Sequence, residues 1–441
     1  MKKLSILTVG LLSSFFVFTV NAQAPLKSTD PEAESKLQRL DSMMNVFHDK
    51  FYSFKDDIEK VNIYGFDSNT VPSYSDEVIK HRLSLLESPI PLEYNQYVKG
   101  FIDLYAVRKK KLTQHILTWS DYYFPMFEQI LDEQGMPLEF KYLAVIESAL
   151  NPNAQSWCGA TGLWQFMYGT GLMYGLKINN YVDERKDPIK ATYAACQYFK
   201  DMYALYHDWL LVIAAYNCGP GNVNRAIRMS GGHYNFWKIM PYLPTETRGY
   251  VPAFIAATYV LNYHEEHNIV KFSETPVKYV TDTVHVDGKL TFAQLSQSLQ
   301  IDEDQLRMLN PSYKLGVLPH PSESGKSYVL RLPYHKAISF ADMKDDLYAS
   351  NYPKYLKSSN FDASQVNANI QQGDESLSSI KKGIPKKTNN KNKVAYYRVR
   401  RGDGLYIIAN KYGCSVYDIK KWNNLHSNAI KPGQVLAIHR G

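Results

Sequence analysis

A single glutamate, Glu147, lies inside the apolar segment 142–150, in which a tyrosine is the one other ionisable side chain. At helical spacing Glu147 shares a face with Leu143 and Ala144, so its side chain should point into a core. The segment ends at Asn151, which precedes a proline and disfavours helix, so Glu147 lies near the negative end of the helix dipole. Burial and the dipole both favour the neutral acid, which could donate a proton at neutral pH.

Two interpretations of Glu147 are open from this helix alone. The residue is either a structural glutamate that is hydrogen-bonded inside a core, or a catalytic acid in a cleft. Perturbed carboxylates cluster at functional sites, but structural networks also perturb them. The surrounding elements therefore have to decide between the two.

The elements that must position Glu147 are helices. From residue 94 to 267 the apolar pattern has helical period throughout, and glycine and proline breaks divide it into segments. We assign residues 93–270 to one all-α domain. The predicted helices are 95–106, 110–132, 138–150, 162–175, 188–206, 209–217, 223–229 and 250–262.

The pattern changes after residue 271. A strand, two short helices and a closing strand are predicted at 277–286, 292–299, 303–309 and 328–332, and the same order returns at 397–400, 405–412, 416–423 and 435–439. The predicted fold is thus multidomain, with the all-α domain followed by two small α+β (βααβ) units at 276–333 and 394–441. Residues 334–393 are rich in Ser, Asn and Lys and read as a linker.

The N-terminus has the pattern of a secretory signal, which we assign to residues 1–24. Lys2 and Lys3 precede an apolar stretch over 4–20, and Ala22-Gln23-Ala24 offers a small-residue cleavage site. No cysteine is present there for lipid attachment, and no later segment is apolar for long enough to span a bilayer. We expect an exported, periplasmic or envelope-associated protein, with a helical or irregular region at 25–92.

Charge and cysteine content exclude several classes of site. The net charge of +7 is mild; it suits an anionic polymer or surface and does not demand nucleic acid. Peripheral association with the cell envelope is compatible with it, and the oligomeric state is left open. The four cysteines, Cys158, Cys196, Cys218 and Cys414, have no zinc-like spacing, so neither a metal nor a cofactor is expected. One disulfide, or small buried thiols throughout, are equally compatible with them.

Four short segments of the helical domain resemble one family. In this order and spacing they are similar to the soluble lytic transglycosylase domain, which is lysozyme-like, and most of all to the membrane-bound lytic murein transglycosylase D group. The segments are Ile146-Glu147-Ser148, Gly162-Leu163-Trp164-Gln165-Phe166, Ala215-Tyr216-Asn217-Cys218-Gly219 and Glu246-Thr247-Arg248-Gly249-Tyr250-Val251-Pro252.

The resemblance implies a carbon–oxygen lyase that acts on peptidoglycan glycan strands. Glu147 would protonate the oxygen between N-acetylmuramic acid and N-acetylglucosamine and then take the proton of the sugar's own 6-hydroxyl, which closes a 1,6-anhydro ring. Glycosidases usually use two carboxylates, yet these segments offer no second one with an evident catalytic role. The nearest acidic group, Asp183, Glu184 and Asp187, has the pattern of a loop and a helix start.

The resemblance also implies supporting residues. Ser148 would hydrogen-bond near Glu147 or to the substrate, or else cap its own helix, and Gln165 would contact the substrate or else hold its loop. Trp164 is expected in the core. The full set of expected substrate-binding residues is Ser148, Gln165, Phe166, Tyr216, Asn217 and Tyr250.

The C-terminal unit, 394–441, resembles a LysM domain through residues 397–405, 422–425 and 432–436. It departs from the family at Gly404 and Tyr406, where small hydroxyl residues are usual. The resemblance implies glycan binding by Asp403, Gly404, Leu405, Tyr406, Asn424 and Leu425. The unit at 276–333 resembles a degenerate LysM, chiefly through Leu309-Asn310-Pro311.

Two other functions remain open. A hydrolytic muramidase could use the same scaffold, because the difference is whether water reaches the intermediate. A non-enzymatic peptidoglycan-binding protein could be built around the two LysM-type units, although four intact segments in order argue against it.

Overall fold

The computed structural model describes residues 62–272, 280–321 and 327–349, together with parts of 393–440. The predicted signal peptide at 1–24 and most of the predicted linker at 334–393 lie outside the described residues. The described residues divide into two compact units, one within 62–349 and one within 393–440.

The all-α class predicted for residues 93–270 is confirmed, and the helices extend from residue 76 to residue 262. A π-helical turn, Leu104–Arg108, continues α2, and a 3-10 turn, Leu138–Phe140, precedes α4. The helices are α1 Asp76–Ser84, α2 Gln96–Asp103, α3 Lys110–Glu133, α4 Lys141–Ser148, α5 Tyr168–Met173, α6 Pro188–Tyr206, α7 Trp209–Cys218, α8 Pro220–Met229, α9 Phe236–Ile239 and α10 Thr245–Asn262.

Local signals fix the bounds of α6, which match the predicted 188–206. Asp187 caps the first turn by accepting from the N–H groups of Ile189 and Lys190, and Pro188 occupies the first helical position. His207 ends the helix in the left-handed conformation at φ 51°. Sequence alone therefore suffices for this element.

Helix α7 runs through the centre of the domain. Its residues 210–215 are all apolar and buried, so the helix has no polar face to present to water. Aromatic rings pack beside it: Phe140 stacks on Phe199 at 4.1 Å between centroids, and Tyr203 stacks on Trp209 at 3.8 Å. This core supports the inner ends of α4, α7 and α10.

Residues 62–92 belong to the same body. Ile79, Leu83 and Ile90 are buried in the core of the helical domain. The Tyr74 hydroxyl donates to the backbone oxygen of Glu266 at 2.8 Å, and the Asn62 amide donates to that of Glu265 at 2.7 Å. This segment thus covers the turn that follows α10.

The helix predicted at 162–175 is wrong in its first half. Residues 162–167 form a turn that is mostly buried, in which the Thr161 N–H donates to the Phe166 oxygen at 3.1 Å, and only Tyr168–Met173 is helical. Gly162 has φ +89° and Gln165 has φ +47°, and neither is compatible with a right-handed helix. We call residues 159–167 the motif loop.

The first α+β unit has the predicted order of elements. Strand β1 Thr281–Val286 pairs antiparallel with β4 Tyr328–Pro333, and the two-residue strands β2 Leu290–Thr291 and β3 Val317–Leu318 pair with each other. Helices α11 Phe292–Leu299 and α12 Glu303–Leu309 lie between them in sequence.

The predicted linker does not begin at residue 334. Residues there form α13, Tyr334–Ala349, which packs on the first α+β unit. Ala337, Phe340 and Leu347 are buried in the core of that unit. The first α+β unit therefore extends to residue 349 instead of 333. The sequence did not predict this because the overall hydrophobicity of the stretch is low, although one face of the helix is apolar.

The C-terminal unit is smaller. Strand β5 Lys393–Arg398 pairs antiparallel with β6 Val435–Arg440, and α14 Val416–Trp422 packs on β6. Its described core contains Val399, Ile408, Ile419 and Leu436 among others. The predicted fold class, an all-α domain followed by two α+β units, is confirmed.

Among the helices of the described ranges, none combines the length and the hydropathy that crossing a bilayer requires. Cys158, Cys196 and Cys218 are free thiols, with Cys158 exposed and Cys196 buried. Cys414 lies outside the described residues.

Candidate active site

Glu147 occupies the last turn of α4, as the sequence predicts. Its side chain is buried, with the residue 9% exposed. The helix ends directly after Ser148, because Ala149 (φ 52°) and Leu150 (φ 63°) both adopt the left-handed conformation. This sharp turn holds the carboxylate at the inner end of the helix.

The Tyr250 side chain contacts Glu147. Its hydroxyl donates a hydrogen bond to Glu147 Oε1, and the tyrosine itself is 4% exposed. Burial, and then the negative charge of Glu147, raise the pKa of Tyr250 well above its usual range. Tyr250 is therefore a neutral donor that fixes the orientation of the carboxylate.

Ser148 joins α4 to the motif loop. Its Oγ lies 2.9 Å from the backbone oxygens of both Ala144 and Leu163, and the residue is buried. Of the two roles expected for the Ser148 hydroxyl, the structure shows hydrogen bonding to backbone oxygens. A contact with substrate stays a prediction for Ser148.

Tyr216 joins the motif loop to α7. Its hydroxyl donates to the backbone oxygen of Trp164 at 2.7 Å. Desolvation and then the charge of Glu147 raise the pKa of Tyr216 well above its usual range, so this hydroxyl also keeps its proton. Trp164 is fully buried and donates its indole N–H to Thr192 at 2.9 Å, which confirms it as a core residue.

Asn217 joins α7 to α10, because its Oδ1 accepts from the buried Thr247 hydroxyl at 2.7 Å. With this bond the four sequence motifs form a closed ring. Ser148 binds the second motif, Tyr216 joins the second to the third, Asn217 joins the third to the fourth, and Tyr250 returns to Glu147. Segments separated by about a hundred residues thus define one site.

Gln165 and Phe166 both belong to the motif loop. The Gln165 amide nitrogen donates to the backbone oxygens of Gly162 at 2.8 Å and Ala154 at 3.0 Å, so this side chain holds the loop. Phe166 is 3% exposed and meets the Tyr216 ring edge-on at 6.2 Å. Substrate contact by either residue stays a prediction.

Sequence reasoning missed Arg185. Its guanidinium forms a bidentate pair with Asp183 (2.9 and 2.7 Å) and also donates to the backbone oxygens of Gly159 (2.9 Å) and Phe166 (3.1 Å). The residue is 6% exposed. Apart from Asp183, its partners are carbonyls of a distant loop, so no local pattern marks its contact with that loop.

The acidic group near Arg185 is structural, as predicted. Asp183 pairs with Arg185, and Glu184 accepts from the Lys177 N–H at 2.7 Å and pairs with Lys190 at 2.7 Å. Asp187 caps α6. Within the described ranges, no cluster of His, Cys, Asp and Glu side chains could hold a metal ion.

The expected LysM residues are described only in part. Leu405 is buried in the core of the C-terminal unit, and Leu425 packs against that core. Asp403, Gly404, Tyr406 and Asn424 lie outside the described residues. Glycan binding by this set therefore stays a prediction.

Three family models match the chain. The transglycosylase SLT domain matches residues 125–238, which include Glu147, the motif loop and Tyr216. The LysM-like domain of lytic transglycosylase MltD matches residues 280–349, the range that includes α13. The LysM domain matches residues 397–439.

Several known proteins are similar in sequence. Membrane-bound lytic murein transglycosylase D of Escherichia coli (strain K12) is 29% identical over 339 residues, or 76% of this chain and 67% of that protein. Soluble lytic murein transglycosylase of the same strain is 29% identical over 141 residues, or 30% of this chain and 22% of that protein. N-acetylmuramoyl-L-alanine amidase sle1 of Staphylococcus saprophyticus is 52% identical over 42 residues, or 10% of this chain and 13% of that protein.

Among solved structures, the complex of the 70-kDa soluble lytic transglycosylase with bulgecin A aligns at a TM-score of 0.31 and 20% identity. The alignment covers 58% of this chain and 38% of that one, so the chain spans less than half of the solved protein.

Proposed function

We propose that the chain is a lytic transglycosylase similar to membrane-bound lytic murein transglycosylase D, and that it cleaves the β-1,4 bond between N-acetylmuramic acid and N-acetylglucosamine in peptidoglycan. The product is a 1,6-anhydro-muramic acid end. Glu147 acts first as general acid and then as general base.

One observation carries this proposal: the hydrogen bond from Tyr250 to Glu147 inside the closed ring of four motifs. A carboxylic acid transfers a proton efficiently only when its orientation toward the reacting atom is fixed. Tyr250 fixes the orientation of the Glu147 carboxyl group through its bond to Oε1. The neutral Tyr216 hydroxyl, held on Trp164, keeps the motif loop against the same end of α4.

The reaction needs Glu147 in its carboxylic acid form at the start. The Glu147 proton moves to the glycosidic oxygen, the bond from that oxygen to C1 of N-acetylmuramic acid breaks, and N-acetylglucosamine leaves with a new hydroxyl. The substrate's N-acetyl group stabilises the positive charge that develops at C1. The Glu147 carboxylate then takes the proton of the 6-hydroxyl, whose oxygen bonds to C1. The acid is regenerated and no water is consumed.

Asp183, Glu184 and Asp187 all have structural partners, which supports a mechanism with one carboxylate. Asp183 is fully engaged by Arg185, Glu184 by Lys190 and a backbone N–H, and Asp187 by the first turn of α6. An inverting glycosidase needs a second carboxylate that can activate water. None of these three is available for that task.

The remaining parts of the proposal concern location and binding. A signal peptide at 1–24 would export the chain to the periplasm, where its substrate lies. The LysM-type units would bind glycan strands, and linkage to the helical domain would raise the effective substrate concentration.

The proposal is tested by digesting purified sacculi with the parent protein and with Glu147→Gln, followed by mass spectrometry of the products. We expect anhydro ends, lighter by one water than reducing ends, from the parent alone. Activity of Glu147→Gln should fall by roughly three orders of magnitude or more. Glu139→Gln, two turns earlier on the same segment, is the matched control and should cleave like the parent.

Two results would contradict the proposal. Products with only hydrated, reducing ends would identify a hydrolytic muramidase on the same scaffold. Equal cleavage by Glu147→Gln and the parent would remove Glu147 from the mechanism.

A further inference from the structure

The first α+β unit is joined to the helical domain by backbone pairing. The Asp183 N–H donates to the Ser312 oxygen at 2.9 Å, and the Lys314 N–H donates to the Tyr181 oxygen at 2.9 Å. These bonds flank an antiparallel bridge between Val182 and Tyr313. Because such pairing fixes register, the unit is held in one position on this loop of the helical domain.

Side chains cross the same junction in both directions. Val182 comes from the helical domain but is 3% exposed and buried in the core of the α+β unit beside Tyr313. Met308 and Leu309 come from the α+β unit but belong to the core of the helical domain. The two bodies therefore share apolar packing, which a loosely tethered binding module would not do.

The junction continues directly into the motif loop. Asp183, whose N–H pairs with the α+β unit, orients the Arg185 guanidinium through two hydrogen bonds. Arg185 in turn holds the carbonyls of Gly159 and Phe166, at the two ends of the motif loop. The loop is also in contact with the Arg185 backbone, since a Cβ on Gly162 would lie 1.9 Å from the Arg185 oxygen.

We propose that the LysM-like unit, residues 280–349, acts as a brace for the active site, and that Asp183 and Arg185 are positioning residues that transmit its support to the motif loop. This inference rests on the proposed function, because it assigns the loop a role in holding substrate against Glu147. The unit is an integral part of the catalytic body, and its removal lowers the rate of the chemical step.

A different role for the unit makes a different kinetic prediction. If residues 280–349 served only to bind glycan, loss of docking would raise KM for sacculi and leave kcat unchanged. If the unit braces the loop, loss of docking lowers kcat on short soluble glycan strands as well, because a displacement of the loop by about 1 Å is enough to disturb a near-attack geometry.

The test uses the full chain with Val182→Asp, which puts a carboxylate into the shared apolar contact. Asn180→Asp adds the same charge on the same loop at an exposed position and is the matched control. We measure kcat and KM on soluble glycan strands, and hydrogen exchange at the amides of Thr161 and Gly162, which are bonded within or next to the motif loop. Val182→Asp should lower kcat roughly 10-fold or more and speed exchange at both amides.

Asp183→Asn is the second variant, because Val182→Asp could unfold the α+β unit. It keeps the side-chain size but removes one acceptor from Arg185 while Val182 remains in place. The same loss of kcat and the same faster exchange are expected. Unchanged kcat and unchanged hydrogen exchange in Asp183→Asn would contradict the proposal that the unit supports the motif loop. A change in KM alone in Val182→Asp would also contradict it. The two proposals fail separately: a parent that makes no anhydro ends refutes the proposed reaction, whereas the exchange result does not depend on any reaction.

Discussion

The Tyr250 hydroxyl donates a hydrogen bond to Oε1 of Glu147 across 103 residues of sequence. The bond joins the first half of α10 to the last turn of α4, and both residues are buried. Each helix alone is an ordinary apolar segment. Their contact gives the carboxylate a single orientation in a site lined by tyrosines.

The first prediction concerns this contact. Tyr250→Phe keeps the ring and removes the donor. Glu147 is a carboxylate in the second step of the proposed reaction, and a hydrogen bond to a charged group contributes about 1.5–3 kcal/mol. We expect kcat on soluble glycan to fall roughly 10- to 100-fold with little change in folding. The control is Tyr263→Phe, just past the far end of α10, whose hydroxyl donates to the Arg82 backbone oxygen at 2.9 Å. Equal activities of the two variants would show that the contact does not orient Glu147.

The second prediction separates the two roles of Ser148. Ser148→Ala leaves the Leu163 oxygen of the motif loop without this partner, and an unsatisfied buried group costs about 1–3 kcal/mol. Ser120→Ala is the control, because the buried Ser120 hydroxyl donates to the Leu117 oxygen in its own helix at 2.8 Å. Urea denaturation should show a larger loss for Ser148→Ala. A loss no larger than that of Ser120→Ala, together with raised KM, would favour substrate contact.

The third prediction compares two glycines of the motif loop. Gly159 (φ +85°) has open space where an added methyl group would lie, whereas at Gly162 (φ +89°) a Cβ would meet the Arg185 oxygen. Gly159→Ala should therefore cost only backbone strain, about 1–2 kcal/mol. Gly162→Ala adds a clash with backbone and should lower stability by several kcal/mol and abolish cleavage. Thermal melts check the order, and equal melting temperatures would contradict it.

Helices with local signals were predictable, and the buried loop was not. Asp187, Pro188 and the periodic apolar residues that follow are enough to define α6. The motif loop has the same apolar composition, but its shape comes from Ser148, Tyr216 and Arg185, which are distant in sequence. Periodicity cannot detect tertiary hydrogen bonds of this kind, so a helix was predicted there.

The site was predictable as a set of motifs but not as a ring. The order and spacing of the motifs identify Glu147, Tyr216 and Tyr250 as site residues. The hydrogen bonds between these residues depend on how the helices pack, which the sequence does not show. Helix α13 was missed for a related reason. Its few apolar residues, Phe340 and Leu347 among them, stand out only once there is a surface for them to cover.

The fourth prediction concerns pH. Burial, together with the positive charges of Arg82 and Lys99, lowers the pKa of His267 from 6.5 to about 3. Between these values the unfolded chain binds a proton that the folded protein does not. The free energy of unfolding therefore falls as pH drops from 6.5 towards 3, by up to about 1.4 kcal/mol per pH unit.

Urea denaturation at several pH values checks this effect. His267→Gln should be less stable than the parent at pH 7, and the difference should shrink as the pH falls. His81→Gln, on the exposed face of α1, is the control for the exchange of histidine for glutamine. A constant offset of His267→Gln from the parent would show that His267 does not contribute to acid sensitivity.

The fifth prediction concerns the C-terminal unit. A chain that ends after residue 349 keeps α13 and should cleave soluble glycan at the parent's rate but bind sacculi less. A chain that ends after residue 333 loses Phe340 and Leu347, whose burial contributes about 1.5–3 kcal/mol each, and should melt at a lower temperature. Undiminished sacculus binding by the longer chain would exclude the LysM domain as an anchor.

Ala149 and Leu150, directly after the motif that contains Glu147, hold φ of 52° and 63° with no glycine between them. Each such residue stores about 1–2 kcal/mol of backbone strain. The turn that positions Glu147 therefore lowers the stability of the folded protein. A thermostabilising screen that relaxed this turn would be expected to select robust proteins with a misplaced carboxylate, so melting temperature alone is a poor guide to improving this enzyme.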